Sequence, residues 1–373
     1  MSLLKPVRIP VDLGERGYDI VLGCQIGRLL GEEIKKVSRA EQIGIVTHPR
    51  IGRLYGKEVV SGLERVGFSP TVFKIPEGEQ HKTILQVGRI YDYLIRHRFE
   101  RSSVLVALGG GVIGDMTGFA AATFLRGISY VQCPTTIVAQ VDAAIGGKTG
   151  VDHPKGKNLI GAIHQPSLVV IDLDFLMTLS HREFVSGLAE VVKYGVIQDP
   201  KLFDFMGNNV DAILKRDRKS LTYCIKRSVE IKAAIVASDE KELGLRKILN
   251  YGHTFGHAIE TVTGYQRYKH GEAVAMGMMA AAKMADLLGI GNHTLVSRQE
   301  RLLAALGLPT QFPRLNPLSV MKVLYSDKKV VGGKVHFVLP EKIGSVSVQK
   351  IERDSIERVL QGLCLSELKM KRK

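Results

Sequence analysis

Tryptophan is absent from the chain and aromatic residues make up only 6% of it. That argues against a stacking platform for single-stranded nucleic acid, where successive bases need aromatic faces. Cysteine is nearly as scarce: Cys24, Cys133, Cys224 and Cys364 lie far apart and form no C-x-x-C pair. Neither a disulfide frame nor a zinc ribbon fits that spacing, whereas reduced thiols used for packing do. Long apolar runs are missing too. The richest segment, 273–290, is broken by Lys283 and Asp286 and reads as a buried helix, not a membrane span. The N-terminus, MSLLKPVRIPVDLGERG, has no apolar signal core with a cleavage site, so a cytoplasmic setting without membrane contact is expected. Acid is the last shortage: 37 Asp and Glu against 52 Lys and Arg leave a formal charge of +15. Such a balance suits nucleic acid or a polyanionic small substrate. The basic residues are dispersed, except for LKMKRK at 368–373, which reads as a solvated tail. Net charge alone does not choose between the two, although the shortage of aromatics disfavours nucleic acid as a partner.

With 373 residues, 45% of them hydrophobic, the chain can bury a large core and divide into two domains. Short β-branched runs at 7–11, 19–22, 43–47, 71–75, 104–108, 130–133 and 168–172 read as strands. Helical periods at 51–66 and 83–98 lie between some of them, and this alternation predicts a parallel sheet covered by helices. Beyond residue 174 the texture turns helical, at 183–197, 218–237, 243–263, 271–288, 294–306 and 318–325. A hairpin at 334–340 and 345–348 follows, then a closing helix at 351–365. The expected division is an α/β domain over 1–178 and a mainly α-helical domain over 179–373. Ligands of such proteins usually bind in a cleft between domains.

Three stretches carry chemistry. Residues 134–161, PTTIVAQVDAAIGGKTGVDHPKGKNLIG, mix Asp142, Lys148, His153, Lys155, Lys157 and Asn158 with close glycines. Such a segment makes poor core, reads as a long polar loop, and suits backbone and ammonium groups closing on an anion. The strand at 104–108 runs into GGGVIGD, 109–115, and then a helical pattern from Met116. That order places a phosphate at a helix N-terminus. As a G-x-G-x-x-G match it is weak, and no carboxylate follows about 20 residues on to hold a ribose. The loop EGEQHK, 77–82, follows another strand end and reads equally as a cap for the next helix.

In the helical half, YGHTFGHAIE sets His253 and His257 four apart on one face, a spacing that is structural or metal-binding. His270 opens the next helix beside Gly271. Glu190 sits among Leu188, Ala189, Val191 and Val192, where a buried carboxylate needs a cation. Two imidazoles, one carboxylate and an open position describe a catalytic zinc site, with Lys193 one turn from Glu190.

Taken together, GEQHK, GGGVIGD, PTT, AQVDAAIGGKTGVDHPKGKNLIGAIHQP, FLMTL, SGLAEVVKYG, LNYGHTFGHAIE, HGEAVAMGM and DKK resemble the 3-dehydroquinate synthase family, from about residue 40 to 345. The resemblance implies a Rossmann-like α/β nucleotide-binding domain, a helical metal-binding domain and a homodimer. It also implies NAD⁺, one divalent metal (Zn²⁺ or Co²⁺) and conversion of 3-deoxy-D-arabino-heptulosonate 7-phosphate to 3-dehydroquinate. By position, it makes Glu190, His253 and His270 the metal ligands and His257 a proton relay. NAD⁺ would meet Glu77, Gly78, Glu79, Gln80, His81 and Lys82, then Gly111, Val112, Ile113, Gly114 and Asp115. Thr135, Thr136, Lys148 and Lys157 would add to that contact, as would Phe175, Leu176, Met177 and Thr178. The anionic substrate would be held by Arg126, Asp142, Lys148, Asn158, Lys193, Lys232, Arg246, Asn250 and one lysine of the Lys328–Lys329 pair. Of these, Lys148, Lys193, Lys232, Arg246 and Asn250 join His257 in catalysis. One departure is His48, followed by Pro49, where relatives often carry Asp or Asn; it bears on the adenosine end of the cofactor. A sister sugar-phosphate cyclase and a polyol dehydrogenase of the glycerol-dehydrogenase type are the rival readings.

Overall fold

The structure, a computed structural model, describes residues 6–326, 330–331 and 334–365. Two compact units are present: Met1–Leu179 with Leu221–Glu240, and Ser180–Ser220 with Lys241–Lys373. The expected second domain, 179–373, therefore gives up Leu221–Glu240 to the first unit.

In the first unit the chain runs β1 (Val7–Val11), β2 (Tyr18–Gly23), α1 (Leu30–Val37), β3 (Gln42–Thr47), α2 (Pro49–Glu64), β4 (Ser69–Lys74) and α3 (Ile84–Arg96). It continues through β5 (Val104–Gly109), α4 (Gly111–Thr123), β6 (Ser129–Pro134), β7 (Lys148–His153), β8 (Gly156–Ile163) and β9 (Leu168–Asp172). Seven strands form one sheet in the order β1-β2-β9-β6-β5-β3-β4, parallel except for the β1–β2 pair. Strand β5 shows why the runs were apolar throughout. Val104, Val106 and Leu108 enter a core with Leu30, Ile34, Val59 and Leu63, on the α1 and α2 side. Leu105 and Ala107 enter a second core with Ile90 and Leu94 of α3 and Met116 of α4. A strand covered on both faces has no polar side to alternate with.

Strand β3 steps outward to β4, whereas β5 returns to the other flank of β3. The order thus reverses between β3 and β5. In open α/β sheets, ligands bind outside the carboxyl ends of the strands at such a reversal. Thr47 and Gly109 end those two strands.

Two expectations are corrected in this unit. Helix α4 begins at Gly111, so Gly111–Asp115 is its first turn and not a turn ahead of a helix starting at Met116. The polar stretch 134–161 is not all loop: β7 and β8 pair as an antiparallel hairpin, with Gly150 opposite Gly161. A Cβ on Gly161 would lie 2.1 Å from the Thr149 carbonyl oxygen. The glycines that signalled a loop are what let these backbones approach.

The second unit contains α5 (His181–Ile197), α6 (Pro200–Asn208) and α7 (Val210–Leu214), and α8 (Arg218–Ser238) then leads into the first unit. After it come α9 (His253–Val262), α10 (His270–Leu287), α11 (His293–Ala305), α12 (Pro317–Ser326), β10 (Val330–Val331), β11 (Lys334–Lys342), β12 (Ser345–Ile351) and α13 (Arg353–Leu365). The helix expected over 243–263 is broken: a 3₁₀ turn, Leu245–Asn250, precedes α9, and Gly252 at φ +79° makes the corner. Helices α9 and α10 meet main chain to main chain, for a Cβ on Gly277 would stand 2.0 Å from the Gly252 carbonyl oxygen. Gly277→Ala is therefore expected to cost about 1–3 kcal/mol or more, as overpacking does. A lowered urea midpoint with an unchanged slope would register it; an unshifted midpoint would contradict the close crossing.

No described helix is long and apolar enough to cross a membrane. Cys133 and Cys224 are buried thiols, and burial pushes Cys224 up to about 12, consistent with packing rather than reactivity.

Candidate active site and metal centre

The reversal point of the sheet brings several of the expected cofactor residues together. Gly110 caps α4, leaving the first amides of that helix directed at whatever lies beyond β5. The Thr135 amide donates to the Gly109 carbonyl at 2.9 Å, and Thr136 packs so closely that a Cβ on Gly110 would lie 3.3 Å from its methyl. Free helix amides beside a glycine-lined approach suit a pyrophosphate.

Loop 77–82 and the hairpin close on the same turn. Lys82 is buried, and its Nζ donates to Asp115 Oδ2 and to Asn158 Oδ1, each at 2.5 Å. Burial works against the Lys82 charge, but the carboxylates of Asp115, Glu79 and Asp152 outweigh it and hold the ammonium above its ordinary value. Asp115 is itself raised by burial, against the pull of Lys82. The Asn158 amide donates to Asp152 at 2.8 Å, and Lys157 lies 3.4 Å from Glu79. Lys232 of α8, also buried, donates to Asp142 Oδ1 at 2.5 Å. Lys148 is exposed at the start of β7.

In the second unit, Ser180 caps α5 by accepting from the Glu183 amide at 3.3 Å. Two and a half turns on, Glu190 is wholly buried, with Lys193 on its carboxylate. His253 opens α9 and His270 opens α10. The α10 entry is fixed by Glu272, which accepts from the Lys269 amide at 2.9 Å and is gripped by Arg182. The Nε2 atoms of His253 and His270 each stand 3.5 Å from Glu190 Oε1. Two donors at tetrahedral corners, with bonds of about 2.1 Å, lie about 3.4 Å apart. One ligand atom from each of Glu190, His253 and His270 fits within 4.8 Å of the others. The donor set suits a divalent ion of the zinc type.

Close approach of the helices makes this possible. A Cβ on Gly271 would stand 1.8 Å from the Ser186 carbonyl oxygen, and the Gly271 amide reaches Ser186 Oγ at 3.1 Å. Gly271 therefore makes room for α5, which carries Glu190.

The N-terminal model of 3-dehydroquinate synthase matches residues 72–186 and the C-terminal model matches 187–330. The curated 3-dehydroquinate synthase of Thermodesulfovibrio yellowstonii is 46% identical over 95% of this chain and 99% of its own. That of a Synechococcus species is 49% identical over 96% and 99%. The chain belongs to the 3-dehydroquinate synthase family. Among solved structures, the 2-epi-5-epi-valiolone synthase ValA of Streptomyces hygroscopicus, with NAD⁺ and Zn²⁺ bound, superposes with a TM-score of 0.85 at 27% identity, covering 100% of this chain and 99% of that one. The sister cyclase is thus well below the 3-dehydroquinate synthases in identity.

Not every residue expected from the family resemblance gathers at these two groups. Arg126 is exposed in a short turn leading into β6, at the opposite end of the sheet from the glycines. Phe175 and Leu176 are core side chains; Phe175 packs on Tyr55, leaving their main chain for any contact. Met177 and Thr178 complete that 3₁₀ turn, and Thr178 meets the Tyr55 hydroxyl. Ile113 likewise faces the core. Arg246 is buried in the 3₁₀ turn before α9, where Asn250 donates to Glu242 at 2.6 Å. His257 is half-buried, 5.5 Å from the His253 ring and 6.2 Å from that of His270. Lys328 and Lys329, and the tail at 368–373, lie outside the described residues. His48 caps α2 with its Nδ1 3.9 Å from Glu77, and burial lowers its affinity for a proton.

One residue of the family motif escaped the sequence reading. Glu260 is buried, and its Oε1 lies 3.4 Å from His270 Nδ1. Its signal was available, because 253, 257 and 260 share one helix face. Burial disfavours a charge on His270, yet the carboxylates of Glu190 and Glu260 outweigh it and push the ring up to about 10.

Proposed function

We infer that the chain catalyses the 3-dehydroquinate synthase reaction, converting 3-deoxy-D-arabino-heptulosonate 7-phosphate to 3-dehydroquinate and phosphate in the shikimate pathway. The observation that carries this is the near-half identity to curated synthases across almost the whole chain. The reaction is a phosphate-eliminating lyase step, with transient oxidation, β-elimination, reduction, ring opening and intramolecular aldol closure.

Phosphate leaves an unactivated carbon poorly because the neighbouring C–H is not acidic; a transient ketone next to that C–H makes it so. NAD⁺ when bound supplies and then removes that ketone by taking and returning a hydride, and a divalent metal, Zn²⁺ or Co²⁺, supplies polarisation of the oxygens gaining charge. The residues that fit the cofactor are the opening turn of α4 with Thr135 and Thr136, the loop at 77–82, Lys148 and Lys157. Glu190, His253 and His270 fit the metal. In this reading Lys193 places an ammonium beside the metal ligands, and His257 moves a proton at its ring nitrogen. Lys148, Lys232, Arg246, Asn250, Asp142 and Asn158 bind and orient the carboxylate and phosphate of the substrate, Arg by its fork and Lys as a point charge. Asp142 keeps Lys232 in place. A homodimer and a cytoplasmic setting belong to the same proposal, and light scattering of the purified protein checks the first.

The test is to supply the heptulosonate phosphate with NAD⁺ and Zn²⁺ and to follow phosphate and NADH together. Phosphate should appear stoichiometrically while NADH does not accumulate. Steady NADH growth would favour a polyol dehydrogenase and refute the assignment.

A further inference from the structure

We propose that Glu260 is a positioning residue of the metal centre: its carboxylate fixes the His270 tautomer and so sets metal affinity. The inference rests on the reading of Glu190, His253 and His270 as ligands. A neutral imidazole has one N–H and one lone pair, and only the lone pair can bind a metal. An ionised carboxylate only accepts hydrogen bonds. Facing Nδ1 of His270 at 3.4 Å, Glu260 calls for the proton there and leaves the Nε2 lone pair toward Glu190. His253 has the same arrangement by other means: its Nδ1 lies 3.1 Å from the Tyr251 carbonyl oxygen, which also can only accept. Both rings thus turn Nε2 to one carboxylate oxygen, each with an acceptor behind it. Acceptors behind metal-bound imidazoles orient the ring and raise its basicity.

His270 needs this support more than His253. Each opens its helix, but the His270 side chain is 36% exposed, against 10% for His253. Charge balance points the same way. A dication with two neutral imidazoles and Glu190 carries one net positive charge, and Lys193 on Glu190 adds another. Glu260, buried on the far side of His270, offsets one of them. A rival role exists, because His257, Glu260 and His270 also offer ligand atoms within 4.8 Å of one another. Glutamine separates the two roles: its amide oxygen still accepts from Nδ1–H but replaces an anionic ligand poorly.

Zn²⁺ affinity of the full chain, measured by competition with a chromophoric chelator at fixed pH, is the experiment, with Glu190→Gln as control. Glu260→Ala is expected to weaken binding about 10–100-fold, the usual cost of losing such a partner. Glu260→Gln should recover most of that loss and keep the visible spectrum of the Co²⁺-loaded protein. Wild-type affinity in Glu260→Ala would overturn the proposal, and so would Glu260→Gln binding as weakly as Glu260→Ala. If alanine prevents folding, nitrogen-15 spectra of the zinc-loaded wild type decide. His270 should carry its proton on Nδ1, and a proton on Nε2 would overturn the idea. Should Glu190→Gln bind zinc normally, the ligand assignment itself fails, a result distinct from the failure of Glu260 alone.

Discussion

Glutamine in place of Glu190 is expected to lower phosphate release by on the order of a thousandfold or more, with the protein still folded. Glutamine keeps the shape of a side chain that is wholly buried, which alanine would not. It removes the one anionic donor among Glu190, His253 and His270. Metal polarisation is worth several kcal/mol of transition-state stabilisation, and each 1.36 kcal/mol is a factor of ten in rate. Stripping the wild type with a strong chelator should give the same loss, and added Zn²⁺ or Co²⁺ should reverse it. The pH dependence follows from His270. In the metal-free protein its ring is held up to about 10, so at neutral pH the ion must displace a proton. The sign is therefore fixed: zinc affinity rises with pH below that value, by up to tenfold per unit. In Glu190→Gln one of the two carboxylates raising His270 is gone, so the rise should level off at a lower pH. Full turnover in metal-depleted enzyme, or a zinc affinity that ignores pH, would remove these residues from the mechanism.

Lys232→Met is the second large effect, expected to cut kcat/KM for the heptulosonate phosphate by about 10²–10³, the usual cost of losing one fixed donor at developing negative charge. Methionine preserves most of the stem and deletes the ammonium. Asp142 then keeps its carboxylate without the partner now 2.5 Å away, adding repulsion toward an anionic substrate. Combining the change with Asp142→Asn removes that repulsion and should restore stability without restoring rate. Zinc affinity should stay at the wild-type value, since Lys232 is not among the candidate ligands Glu190, His253 and His270. Near-normal turnover in Lys232→Met would refute its role.

The sheet was legible because buried parallel strands leave their mark as continuous β-branched runs, and every strand expected from 7–11 to 168–172 is present. The β7–β8 hairpin was not. Its lysines and glycines are poor strand formers, and its pairing depends on Gly150 facing Gly161, a tertiary fact that no local propensity encodes. The break at Gly252 was hidden for a similar reason: its backbone conformation is needed only because α10 crosses there. Helices α6 and α7 were missed because they are short, although α6 buries Leu202, Phe203 and Met206 on one face. At the metal group, Glu190 announced itself as an acid in an apolar helix. Glu260 gave the same sign beside Ala258 and Ile259, but the histidines drew attention from it.

Beside the candidate metal ligands, Ser186 lies one turn before Glu190, and Gly271 adjoins His270. The carbonyl oxygen of Ser186 already stands where a Cβ of Gly271 would be. Only a residue without a Cβ lets the start of α10 come this close to α5. The spacing of two candidate donors, Glu190 and His270, thus depends on a residue that has no functional group at all.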